Sequence, residues 1–219
     1  MEALRRIRVT GKGQLRIKPD MTRVAMTLTG VKKEYAEALE LSSAQTGTVK
    51  EVLSAFGFAP EDVRTLRFHV NAEYEGYEEQ GQWKQRFVGY KFEHALKIEF
   101  LSDNHRLGQV LYALGHAEVQ PEIQISFTVR DREAAKNQLL DRAVADAREK
   151  AAVLAEVAGV ALKAIRSIDY SLDEMDFEVR PMNAVLCRKE AAADGAYHID
   201  MEPDDIEVSD TVTMVWEIA

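Results

Sequence analysis

The chain has 219 residues, of which 46% are hydrophobic and 30% charged, the balance of a folded globular protein rather than of a disordered or membrane-embedded one. Its 28 basic and 37 acidic side chains leave a formal charge of −9, and the lysines and arginines are scattered. That field disfavours phosphate backbones and anionic membrane surfaces, so no nucleic-acid partner is expected.

No run reaches the apolar length of a membrane span. A single cysteine, Cys187, cannot form an internal disulfide, and Met1-Glu2-Ala3-Leu4-Arg5-Arg6-Ile7 goes straight into a strand-like segment with no leader pattern, which points to a cytoplasmic location. The length suits one domain, residues 1–219, built from two halves of approximately 1–118 and 119–219.

Residues 5–10 and 14–18 flank Gly11-Lys12-Gly13, whose glycines predict a turn between two short strands. Val24, Met26 and Leu28 alternate with small or polar residues and predict a half-buried strand. Ala36, Leu39, Ser43, Thr46, Val49, Leu53 and Phe56 recur at helical spacing, with Gly57-Phe58 as the stop.

Next comes a strand with Leu66, Phe68 and Val70, a polar tip Glu78-Glu79-Gln80-Gly81-Gln82, and a return strand from Trp83 to Phe100. In that return strand Tyr90, Phe92, His94, Leu96, Ile98 and Phe100 share one face. The pattern is a long β-hairpin.

Ser102 or Asp103 caps a short helix carrying Leu107, Val110, Leu111 and Leu114. A strand with Ile123, Ile125, Phe127 and Val129 leads into the longest helix, Asp131 to Ala158, about 42 Å at 1.5 Å per residue. Its face of Ala135, Leu139, Ala143, Ala147, Leu154 and Ala158 suits close packing on a sheet.

A strand with Ile168, Tyr170 and Leu172 follows. The pattern then lapses over residues 174–203 into a long loop, and recovers in a closing strand with Ile206, Val208, Val212, Met214, Trp216 and Ile218. The predicted order is β-β-α-β-β-α-β-α-β-β, an α+β fold containing a split βαβ unit, with the long helix on a mixed or antiparallel sheet. Strand, helix and strand recur at residues 23–70 and 123–172, which reads as two related halves sharing one sheet system.

Ile7-Arg8-Val9-Thr10-Gly11-Lys12-Gly13, then Lys18-Pro19-Asp20 and the alternating strand to Leu28, resembles the opening of the SIMPL-domain family. Gly89-Tyr90, the alanine-rich helix from Ala143 to Ala151, and Ile206-Glu207-Val208-Ser209 extend the resemblance over residues 7–218. It implies an α+β fold, a tendency to self-assemble, and an association with envelope and oxidative-stress phenotypes. It supplies no catalytic residues, and the family's biochemical activity is unknown. The chain departs from the family in showing no export leader, and in having Asp204-Asp205 where a glycine often precedes the last strand.

Gly11-Lys12-Gly13 matches neither phosphate-loop spacing, and the hairpin-turn reading is preferred. His94 lies on the apolar face of its strand with no nucleophile or carboxylate at motif spacing, which describes a core or interface imidazole holding one hydrogen bond. His69, His105 and His116 are isolated. His198, Asp200, Glu202, Asp204 and Asp205 are the one cluster of potential metal donors in the sequence, though without a recognised ligand spacing. Cys187 has basic neighbours in Arg188 and Lys189, which would favour a reactive thiolate if they were also close in space.

Tyr74, Tyr77, Trp83 and Phe87 concentrate aromatic side chains near a polar tip, where a two-stranded arm has little core to bury them. They are the candidate contact residues, the alternative being that they pack on the long helix or under the 174–203 loop. The reading is a non-enzymatic, self-assembling homo-oligomer with no cofactor and no assigned catalytic or metal residue, its stress-related role implied by the resemblance alone. A small-ligand binding module, and an enzyme or metal-binding protein using the 198–205 acidic and histidine loop, are the alternatives.

Overall fold

The computed structural model describes residues 5–171, 175–180, 197 and 199–219. In chain order the elements are β1 (Arg6–Ile17), β2 (Met21–Lys32), α1 (Tyr35–Ser54), β3 (Arg64–Glu79), β4 (Gln82–Leu101), α2 (Asn104–His116), β5 (Glu122–Thr128), α3 (Arg132–Ala158), β6 (Leu162–Asp169), β7 (Glu178–Val179) and β8 (Ile206–Ile218). The α+β class and the predicted order hold, with the two-residue β7 added.

Two compact units are present, and they interleave along the chain rather than following one another as halves 1–118 and 119–219. One comprises Met1–Pro19, Thr128–Val179 and Asp204–Ala219; the other comprises Asp20–Phe127 and Arg180–Pro203. The interleaving follows from strand pairing, because β1 and β8, at opposite ends of the sequence, zip together antiparallel from Arg6 opposite Glu217 to Ile17 opposite Ile206. There are accordingly two sheets rather than one shared system.

The first unit carries the sheet β1-β8-β6 with α3 packed on it. Strand alternation puts Val9, Gly11, Gly13 and Leu15 of β1 on one face with Met214, Val212, Asp210 and Val208 of β8. Facing them, α3 buries Ala135, Leu139, Ala143, Ala147, Ala151 and Ala155, a stripe with a spacing of four.

Gly11 and Gly13 are the reason the helix can lie so close. A Cβ on Gly11 would stand 2.1 Å from the Ala143 carbonyl oxygen and 2.5 Å from the Ala147 amide nitrogen, and one on Gly13 would stand 2.1 Å from the Leu139 carbonyl oxygen. The expected turn at Gly11-Lys12-Gly13 is therefore absent, and β1 runs straight through it. Glycines two apart in a strand share a face, and here that face meets helix backbone.

The second unit carries strands in the order β3-β4-β2-β5. Val24, Met26 and Leu28 of β2 stand opposite Ile98, Leu96 and His94 of β4, and α1 and α2 cover that face with Ala38, Val49, Leu53, Leu107, Val110, Leu111 and Leu114. Asp103 caps α2, its carboxylate accepting from the His105 and Arg106 amides at 2.8 and 3.2 Å.

The described parts of the 174–203 stretch are anchored rather than wholly looped. Phe177 is buried in the first unit, and its carbonyl accepts from Thr128 Oγ1 at 2.7 Å. The Tyr197 amide donates to the Gly108 carbonyl at 3.2 Å, and Ile199 and Met201 pack on the core of the second unit. Among the described residues no helix is long and apolar enough to cross a membrane.

Candidate functional site

The pairing of β2 with β4 ends at Lys32 opposite Tyr90. Beyond that point β3 and β4 continue alone to their tip, a two-stranded arm about 25 Å long at the usual strand rise. Gln80 (φ 54°) and Gly81 (φ 75°) close it with left-handed backbone at both central positions, the geometry of a two-residue type I′ hairpin turn.

Near the root of the arm the register shifts between Glu73 and Tyr74: Glu73 stands opposite Gly89 and Tyr74 opposite Phe87, leaving Val88 as an extra residue on β4. Without that bulge Phe87 would point away from the Tyr90 face. With it, Tyr90, Phe87, Tyr74 and Trp83 share one face of the arm.

The rings on this face touch in sequence. Centroid separations are 5.5 Å for Tyr35 and Tyr90, 5.3 Å for Phe87 and Tyr90, and 5.7 Å for Tyr74 and Phe87, all edge-to-face. Trp83 lies over the gap left by Gly76, where a Cβ would come 3.9 Å from the indole ring. The strip stays open to solvent: Trp83 is 79% exposed, Tyr74 57% and Phe87 48%.

The opposite face of the arm is a charge ladder. Arg86 pairs with Glu75 at 2.7 Å, and Lys84 with Glu79. Tyr77 belongs to this face, with the Arg86 guanidinium 5.8 Å from its ring centroid. Of the four aromatic residues singled out in the sequence, Tyr74, Trp83 and Phe87 are thus gathered on one surface and Tyr77 is on the other.

His94 sits below the arm between α1 and β3. Its Nδ1 is 3.2 Å from both Ser42 Oγ and Thr46 Oγ1, its Nε2 is 3.0 Å from Thr65 Oγ1, and Phe68 packs edge-on at 5.0 Å. Burial, helped by the nearby Lys50 ammonium, pushes its pKa below the usual histidine range. It has three hydroxyl neighbours where a single hydrogen bond was expected, and Ser42 is buried, so the group ties a helix to a hairpin.

The other candidates are dispersed. Gly11-Lys12-Gly13 is packed against α3. His69 lies 3.8 Å from the Glu93 carboxylate, and His116 stacks on Tyr112 at 4.1 Å while its Nδ1 bonds the Tyr112 carbonyl. Asp200, Glu202, Asp204 and Asp205 are exposed, His198 and Cys187 lie outside the described residues, and no group of three metal-donor side chains occurs among the described residues.

An open cavity of about 460 Å³ is lined by Gln14, Leu15, Arg16, Arg142, Glu207, Val208 and Ser209. Its two guanidinium groups are already engaged, Arg16 with Glu207 and Arg142 with the Gln14 carbonyl at 2.7 Å. The alternation of the β3–β4 hairpin was legible in sequence, but the Val88 bulge that selects the aromatic face was not, since only Gly89 hinted at an irregularity.

No curated protein matches the chain. The family model SIMPL, described as a protein of unknown function (DUF541), matches residues 7–216, and on that near-complete coverage the chain belongs to the SIMPL family.

Proposed function

We propose that the protein is a non-enzymatic assembly element whose hairpin arm makes contact with further copies of the same chain. The observation that carries this reading is the two-faced arm. One face is a self-neutralised charge ladder suited to water, while the other leaves Tyr74, Trp83 and Phe87 about half or more exposed.

Aromatic residues in an exposed strip are typical anchors of protein interfaces, because they bring large contact area for little lost rotamer freedom. The I′ turn, the edge-to-face rings and the ion pairs hold the strip in one geometry before any partner arrives, which lowers the ordering cost of association. The stress-related setting implied by the resemblance belongs to this proposal and rests on the family alone.

Light scattering over a concentration series tests it. The wild type is expected to form a discrete multimer, Trp83→Ala to raise its dissociation constant at least tenfold, and Tyr77→Ala to leave it within about threefold. A monomer at every concentration, or equal loss from both substitutions, would overturn the reading.

A further inference from the structure

Exposed sheet edges invite pairing with another chain, and this protein treats its edges unequally. On the outer edge of β1, side chains spaced four apart on α3 occupy the backbone groups: Arg142 donates to the Gln14 carbonyl at 2.7 Å, Asp146 accepts the Lys12 amide at 2.6 Å, and Lys150 donates to the Thr10 carbonyl at 3.5 Å. The β6 edge is broken by two register irregularities, between Leu162 and Ile165 and between Ile165 and Ser167. Bulges of that kind twist an edge away from a flat partner.

From Arg67 to Glu79, β3 has neither protection. It ends the order of its sheet, and its polar and aromatic side chains turn inward to β4: Thr65 and Phe68 to His94, Arg67 and His69 to Glu93, Tyr74 to Phe87, Glu75 to Arg86, Glu79 to Lys84, while Val70 packs on the core. After the irregularity at Leu66 the strand runs unbroken from Arg67 to Glu79, with no proline, because the extra residue near Tyr74 is on β4.

The strand is also polar along its length in the electrical sense. Arg64, Arg67 and His69 occupy its first half, and Glu73, Glu75, Glu78 and Glu79 its second. Two such strands placed antiparallel bring each basic half against an acidic half.

We propose that β3 pairs edge to edge with β3 of a second copy, antiparallel, about a two-fold axis at Asn71. This deepens the assembly reading and rests on it. In that register Arg67 stands opposite the partner's Glu75 and His69 opposite the partner's Glu73. On the other face Phe68 meets the partner's Tyr74, and Val70 meets the partner's Ala72.

Neighbouring registers lose this match. An axis at Val70 keeps the Arg67 and Glu73 pair but moves Tyr74 opposite the irregular Leu66, and an axis at Glu73 sets that carboxylate against its own copy. Pairing over residues 67–75 forms about eight to ten backbone hydrogen bonds. The axis is normal to the sheet, so the two aromatic faces end on the same side and form one continuous apolar surface.

Asn71→Cys in a Cys187→Ser background tests the register, since only the residue on the axis meets its own copy. Oxidation, or a short bifunctional maleimide, is expected to give a covalent dimer. Glu75→Cys in the same background gives none, because the two sulfurs would be about 26 Å apart. Arg67→Glu is expected to raise the dissociation constant about tenfold, and adding Glu75→Arg to bring it back to within about threefold even though neither intrachain ion pair is restored.

A multimer in which Glu75→Cys cross-links as well as Asn71→Cys, or in which the charge exchange restores nothing, would overturn the register and leave the assembly reading standing. A monomer at every concentration would overturn both.

Discussion

Replacing Gly11 by alanine puts a methyl group 2.1 Å from the Ala143 carbonyl oxygen and 2.7 Å from the Ala147 Cβ, and the nearest atoms are helix backbone, which cannot rotate aside. To reach an ordinary separation α3 must rise from β1 by about 1 Å, and a gap of that size forfeits a quarter to a half of each dispersion contact it opens. The Ala143, Ala147 and Ala151 layer against Val9, Val212, Met214 and Trp216 is the part that opens. Overpacking of this kind costs about 1–3 kcal/mol, and the rigidity of the clash places Gly11→Ala at the upper end, about 3 kcal/mol.

Gly13→Ala forces the same rise, since its Cβ would meet the Leu139 carbonyl oxygen at 2.1 Å. One displacement relieves both clashes, so the double variant should cost little more than the worse single one, well short of the sum. Trp216 lies inside this layer, and Trp83→Phe leaves it the one tryptophan, so urea unfolding followed by its fluorescence reports on this unit. A single variant should lower the midpoint by about 1 M or more. A shift under about 0.3 M for Gly11→Ala, or additive costs in the double variant, would refute the close-packed helix.

Gly47 lies within α1, and an added Cβ there meets nothing within 4 Å, so Gly47→Ala should stabilise the second unit by about 0.5–1 kcal/mol in the same denaturation assay. Gly108→Ala would place its Cβ 2.1 Å from the Tyr197 carbonyl oxygen, displacing that residue from Tyr112; faster proteolysis beside Tyr197 with α2 intact is the expected result. The pKa of His94 is lowered by burial, so the unfolded chain binds the proton first as pH falls. Its contribution to stability is complete above the unfolded value of about 6.5 and is lost as pH drops through the window below it. The wild type should therefore lose melting temperature below pH 6.5 more steeply than His94→Gln, and parallel pH profiles would contradict this.

Periodicity disclosed most of the fold because each buried face is simple: β4 alternates cleanly from Tyr90 to Phe100, and α3 repeats alanine every four residues from Ala143 to Ala155. It failed at Gly11 and Gly13 for a physical reason. A glycine that turns a chain and a glycine that admits a helix backbone look alike in sequence, and the partner that decides between them, Ala143 to Ala147, lies about 130 positions away. The arm's aromatic content was legible; its sidedness was not, because one extra residue at Val88 inverts the parity of everything beyond it on β4. Charge polarity along β3 was equally present in the sequence, but it gains meaning only once β3 is known to be an edge.

An edge that pairs leaves a mark that a covered face does not. In a β-ladder the amides of alternate residues point toward one neighbour and the rest toward the other, so half of the β3 amides between Arg67 and Glu75 already bond β4 while the others face outward. Edge pairing at β3 therefore predicts hydrogen exchange that changes with concentration at every second residue of that segment and hardly at all between them. The amides of β4 from Phe92 to Leu96 serve as the internal reference, because β4 is flanked there by both β2 and β3 and their protection needs no second copy. Stacking of aromatic faces alone would slow exchange across both strands without alternation, since it removes water from a surface rather than supplying acceptors to one edge. Alternating protection confined to β3 would therefore establish the edge contact, and uniform protection over both strands would assign the assembly to the Tyr74, Trp83 and Phe87 face alone.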